Sequence, residues 1–122
     1  MKVLVVDDHN AMRDMLRGLL NQIGYADVQE ADGVDQALGM LASAEFDLIV
    51  SDWGMRPKAG VAFLRAIRAD DKTRHTPVVM VASDGASEEV DTTGVAESLI
   101  FKPFNAATLR AKIHHALGAH PK

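Results

Sequence analysis

Val3-Leu4-Val5-Val6-Asp7-Asp8 runs four apolar residues, three of them β-branched, directly into two carboxylates. A run that is continuous instead of alternating is the pattern of a strand covered on both faces of a parallel sheet. Three further runs share it, at 46–50, 78–81 and 99–101, and a weaker candidate lies at 27–31. Helical spacing fills the gaps. Met12, Met15, Leu16, Leu19, Leu20 and Ile23 fall at three- and four-residue steps after a capping Asn10, and Gly24 stops the helix. Val34, Ala37, Leu38 and Leu41 follow Asp32, a second candidate cap. Val61, Leu64 and Ile67 suit a third helix that ends before the polar stretch 70–76. Asn105 caps a last helix through Leu109, Ile113, Ala116 and Leu117, closed by Gly118. Between 84 and 98 the signal supports one or two helical turns, because Thr92-Thr93-Gly94 opposes a long helix.

Strands alternating with helices predict an α/β fold, an open parallel sheet with helices on both faces. At 122 residues the expectation is one domain over 1–122, with no linker or repeat. Apolar residues are 48% and charged residues 25%, which excludes a disordered chain, and no apolar run approaches the length of about 18 residues expected of a membrane span. A net charge of −4 without a basic stripe argues against direct binding of nucleic acid. Zero cysteines remove disulfides, thiolate metal sites and cysteine nucleophiles. The apolar start is too short for a signal peptide, so a cytoplasmic setting is expected.

Ligands of such sheets bind beyond the carboxyl ends of the strands. Asp7-Asp8 follow strand one, Ser51-Asp52 end strand three, Ala82-Ser83 end strand four and Lys102-Pro103 follow strand five. One edge therefore collects three carboxylates and an ammonium. Two like charges about 4 Å apart repel by roughly 4 kcal/mol at an effective dielectric near 20. Such a group takes up a proton, spreads apart or holds a cation. A hard divalent ion suits oxygen donors, and Mg²⁺ combines one or two carboxylates with waters and phosphate oxygens. Each residue has a plainer reading alone: an acid pair as a solvated loop, Lys102 as a surface lysine. Their convergence favours phosphoryl chemistry on a carboxylate.

These segments resemble the response-regulator receiver domains: 3–8, Phe46-Asp47-Leu48-Ile49-Val50-Ser51-Asp52-Trp53, Pro77-Val78-Val79-Met80-Val81 and Lys102-Pro103-Phe104. The match covers essentially the whole chain and is most similar to the stand-alone chemotaxis type. The resemblance implies a flavodoxin-like five-stranded sheet in the order 2-1-3-4-5, with a shortened or irregular fourth helix. It implies that Asp52 accepts a phosphoryl group from a sensor histidine kinase, a histidine phosphotransfer protein or a small donor such as acetyl phosphate. Asp8 and Asp52 would ligate Mg²⁺ directly, Asp7 through a water, with the Gly54 carbonyl completing the set. Lys102 would pair with the phosphoryl oxygens, and its peptide bond to Pro103 would be cis. The output would be binding of a target protein, without nucleic acid or membrane, and catalysis would be limited to the domain's own phosphorylation and dephosphorylation.

Two switch positions depart from the family pattern. Ala82 stands where the family places Thr or Ser, and Leu99 stands at the usual aromatic position. The segment between Ala82 and Lys102 is about two residues short. The alternative function is thus a degenerate receiver, an interaction module or phosphate sink indifferent to phosphorylation. Gly54, in place of a general acid, argues against a phosphatase acting on a separate substrate. Arg56 and Lys58 read as solvated loop cations, with a lean over the acidic edge as the weaker alternative; His9 reads as an exposed histidine, with contact to the metal as the weaker alternative; His114, His115 and His120 lack ligand spacing.

Overall fold

The computed structural model describes residues 1–52, 59–82 and 98–119. The elements run β1 (Lys2–Val6), α1 (Asn10–Gln22), β2 (Asp27–Ala31), α2 (Val34–Ser43), β3 (Leu48–Asp52), α3 (Ala59–Ala69), β4 (Val78–Ala82), β5 (Ser98–Phe101) and α4 (Ala106–Ala119). The five strands are parallel, in the order β2-β1-β3-β4-β5, a flavodoxin-like arrangement.

The apolar runs form the central strands because both of their faces are covered. Side chains alternate across a strand, so each run feeds two cores. Leu4, Val6, Ile49, Val78 and Met80 pack with Ala37 and Leu41 of α2 and Phe63, Leu64 and Ile67 of α3. Val3, Val5, Leu48, Val50, Val79 and Val81 pack with Leu16 and Leu20 of α1 and Leu109, Ile113 and Ala116 of α4. Strand β2 lies at the sheet's edge and is only partly buried, which explains its weaker apolar signal.

Several boundaries differ from the sequence reading. Strand β3 starts at Leu48 instead of 46; Asp47 just before it is tied to β1 from both sides, its N–H donating to Lys2 O at 2.8 Å and its carboxylate accepting the Lys2 main-chain N–H at 2.8 Å. Helix α1 is capped at His9 without a side-chain bond, and Asn10 lies inside the helix with its oxygen turned to Arg13 Nη2. Gly33, not Asp32, precedes α2. Helix α4 continues through Gly118. Met15 is exposed at the flank of the apolar stripe, not in the core. Two punctuation marks stand as read: Gly24 has φ +108 after α1, and Asn105 Oδ1 accepts the Thr108 N–H at 2.9 Å. The expected irregular helix between 84 and 98 lies outside the described residues.

Candidate functional site

Strand register builds the site. Val6 pairs with Ser51, Asp52 with Val81 and Ala82 with Phe101, so Asp7, Asp52 and Lys102 arrive at the same end of the sheet. Two bonds extend the ladders into it: Asp7 N–H donates to Ala31 O at 3.1 Å, and Lys102 N–H to Ala82 O at 2.8 Å. The Lys102–Pro103 peptide is cis.

Asp52 is buried, and its Oδ1 lies 3.5 Å from Lys102 Nζ. Asp7 is fully buried, whereas Asp8 is exposed. One ligand atom each from Asp7, Asp8, His9 and Asp52 falls within 4.8 Å of the others. The structure therefore brings together Asp7, Asp8, Asp52 and Lys102. Gly54, with Trp53, Arg56, Lys58, Ser83 and His120, lies outside the described residues. Ala82 is buried as the last residue of β4, and Leu99, paired with Met80, packs half-buried against the α2/α3 core beside Phe101.

Burial pushes the Asp7 carboxyl above its ordinary range, and the neighbouring Asp52 charge adds to the rise. The His9 main-chain N–H, 2.8 Å from Asp7 Oδ1, and the Lys102 charge pull the other way without cancelling it. Asp7 Oδ2 is buried with no hydrogen-bond partner. A buried oxygen left orphaned among further carboxylates fits a cation site, since a divalent ion satisfies the lone pairs and offsets the repulsion.

The raised value has a consequence for stability. Between the ordinary carboxylate pKa and the raised one, folded Asp7 keeps a proton that the unfolded chain releases. Its stabilising contribution is therefore complete below that window and lost as pH rises through it. Asp7→Asn is expected to raise metal-free stability at neutral pH by about 1–3 kcal/mol and to flatten this segment of the pH profile. Denaturant unfolding in chelator, for both proteins at acidic and neutral pH, measures it; equal slopes would contradict it.

One feature went unread in the sequence. Arg13 donates from Nη1 to the Asp7 main-chain oxygen at 2.5 Å and from Nε to Glu30 Oε1 at 3.2 Å. Glu30 also accepts from Arg17 Nε at 2.6 Å. The guanidinium thus clamps the turn that carries the acid pair. Its signal was a cation next to the apolar stripe of α1, one turn past the acids. His9 is exposed as expected, yet its Nδ1 lies 2.9 Å from Asp8 Oδ1 and joins the acidic group.

Comparison with known proteins agrees with this architecture. The model of the response regulator receiver domain matches residues 3–114. The chemotaxis protein CheY-3 of Vibrio cholerae is 40% identical over 115 residues, covering 93% of this chain and 88% of that protein. The chemotaxis protein CheY of Pseudomonas aeruginosa is 39% identical over 115 residues, 93% of each chain. The structure of the chemotaxis response regulator CheY4 of Vibrio cholerae has a TM-score of 0.82 and 32% identity, covering 95% of this chain and 98% of that one. With a matching model over nearly its full length and stand-alone relatives of its own size, the chain belongs to the response regulator receiver domains.

Proposed function

We propose that this chain, as a single receiver domain over 1–122, is a two-component signalling switch phosphorylated on Asp52. The observation that carries this reading is the buried Asp52 carboxylate 3.5 Å from Lys102 Nζ, with Asp7 and Asp8 beside it. One Asp52 oxygen attacks phosphorus, forming the O–P bond. The bond from phosphorus to a histidine nitrogen of a sensor kinase or phosphotransfer protein, or to the acetate oxygen of acetyl phosphate, breaks. The leaving group departs with that electron pair. Lys102 faces the transferred group and opposes its charge. Asp7, Asp8 and Asp52, with the Gly54 carbonyl, would hold Mg²⁺. When bound, the ion offsets negative charge on the phosphoryl oxygens. Asp7 keeps its carboxyl group buried and held by His9 N–H, so this acid needs little reordering.

The output is binding of a target protein in the cytoplasm, at the edge that β5 and α4 form. The chain acts on no separate substrate. Among the described residues, no helix is long and apolar enough to cross a membrane. Intact-mass measurement after acetyl phosphate treatment tests the transfer. The expected result is a single phosphoryl addition that depends on Mg²⁺ and is lost in chelator; equal labelling without the ion would overturn the metal-assisted account.

Ala82 supports a second reading. A methyl group ends β4 where the family pattern has a hydroxyl, so a hydrogen bond to a charged phosphoryl group, worth roughly 1.5–3 kcal/mol, is missing. A receiver of this kind couples phosphorylation weakly to conformation and serves as a phosphate sink or constitutive interaction module. Partner affinity of wild type, Asp52→Ala and the beryllofluoride form separates the two. The switch predicts that the beryllofluoride form differs from both others; three equal affinities favour the degenerate receiver.

A further inference from the structure

The group around Asp52 is not all carboxylate. His9 Nδ1 lies 2.9 Å from Asp8 Oδ1 and 3.2 Å from Asp7 Oδ1. The ring is 74% exposed, so it can turn toward an ion without disturbing the core. One donor atom from each of Asp7, Asp8, His9 and Asp52 lies within 4.8 Å of the rest, close to the span of ligands around one small cation. A separate observation marks the place as a ligand site: Asp7 Oδ2 is buried there without any partner.

The chemistry of the fourth donor matters. Mg²⁺ prefers oxygen ligands and retains waters, so an imidazole adds little to its binding. First-row transition ions such as zinc, nickel and cobalt take imidazole nitrogen readily alongside carboxylates. We propose that His9 is a ligand of the bound ion and tunes the site toward first-row transition ions, beyond the preference its carboxylates alone provide. This inference rests on reading the acidic group as a cation site.

The test titrates the full chain with Mg²⁺, Zn²⁺ and Co²⁺, following the fluorescence of Trp53, the chain's one tryptophan, and the visible absorption of cobalt. His9→Phe is expected to weaken zinc binding by about tenfold or more, to change the cobalt spectrum, and to leave Mg²⁺ affinity within about twofold. Asp52→Asn should weaken all three ions. His114 and His115, exposed on α4, are imidazoles outside the site that zinc can meet one at a time, and a His114→Ala/His115→Ala variant controls for them. Zinc affinity unchanged in His9→Phe, or lost in the α4 double variant instead, overturns the inference while Mg²⁺ binding still supports the cation site. If wild type binds no Mg²⁺ and Asp52→Asn alters no ion's affinity, the cation site itself fails, and the role of His9 with it.

Discussion

Asp52→Asn is expected to reduce phosphoryl transfer from acetyl phosphate by about a thousandfold or more, without unfolding the protein. The carboxamide has nearly the shape of the carboxylate but no anionic oxygen to attack phosphorus. Asp52 sits at the end of a fully buried strand, so an isosteric change keeps its packing. It also removes one of the crowded negative charges near Asp7, whose carboxyl the Asp52 charge helps to push upward. Metal-free stability should accordingly hold or rise. Intact-mass time courses with Mg²⁺ and acetyl phosphate, paired with denaturant unfolding in chelator, measure both halves. An asparagine variant labelled at the wild-type rate would place the phosphoacceptor elsewhere.

The second large effect is structural. Phe63→Ala is expected to cost about 3–5 kcal/mol. Phe63 of α3 is fully buried among Leu4 and Val6 of β1, Ile49 of β3 and Met80 of β4. Truncating the ring leaves a cavity beneath the strands whose ends carry Asp7 and Asp52, so the loss falls on the scaffold of the site. Urea unfolding should show a lower midpoint with an unchanged slope. A cost below about 1 kcal/mol would mean that the α2/α3 face is not packed as described.

The central strands were legible because burial on both faces leaves continuous apolar runs. Val78–Ala82 differs from its expected span by one residue. Strand β2 was faint because its place at the sheet's edge relaxes the demand for apolar side chains. Helix starts were read less well. Asn10 and Asp32 have the chemistry of caps, but Asn10 is engaged by Arg13, and the backbone at Gly33 takes the cap position instead. Such choices depend on neighbours distant in sequence, which local pattern does not encode. Met15 shows the same limit, since a three- or four-residue spacing does not tell the middle of a stripe from its flank.

At the site, the strand-end acids and Lys102 were legible from topology alone, because parallel strands deliver their last residues to one edge. The resemblance implied the inward turn of Lys102, but its contact with Asp52, 3.5 Å from Nζ, required the structure. So did the clamp of Arg13 and Glu30 across α1 and β2, a contact between residues 17 positions apart. The hydrogen bonds that fix Asp7 come from the main chain and ring of His9, which composition does not reveal.

The central claim is that the sheet's carboxyl edge is one pocket that holds a cation and a tetrahedral phosphoryl group together. Backbone amide chemical shifts recorded with Mg²⁺ alone, and then with Mg²⁺ and beryllofluoride, test it most directly. The account predicts that Mg²⁺ perturbs Asp7, Asp8 and Asp52, and that beryllofluoride extends the change to Ala82 and Lys102. Shifts confined to other parts of the fold, or none with either addition in folded protein, would contradict it.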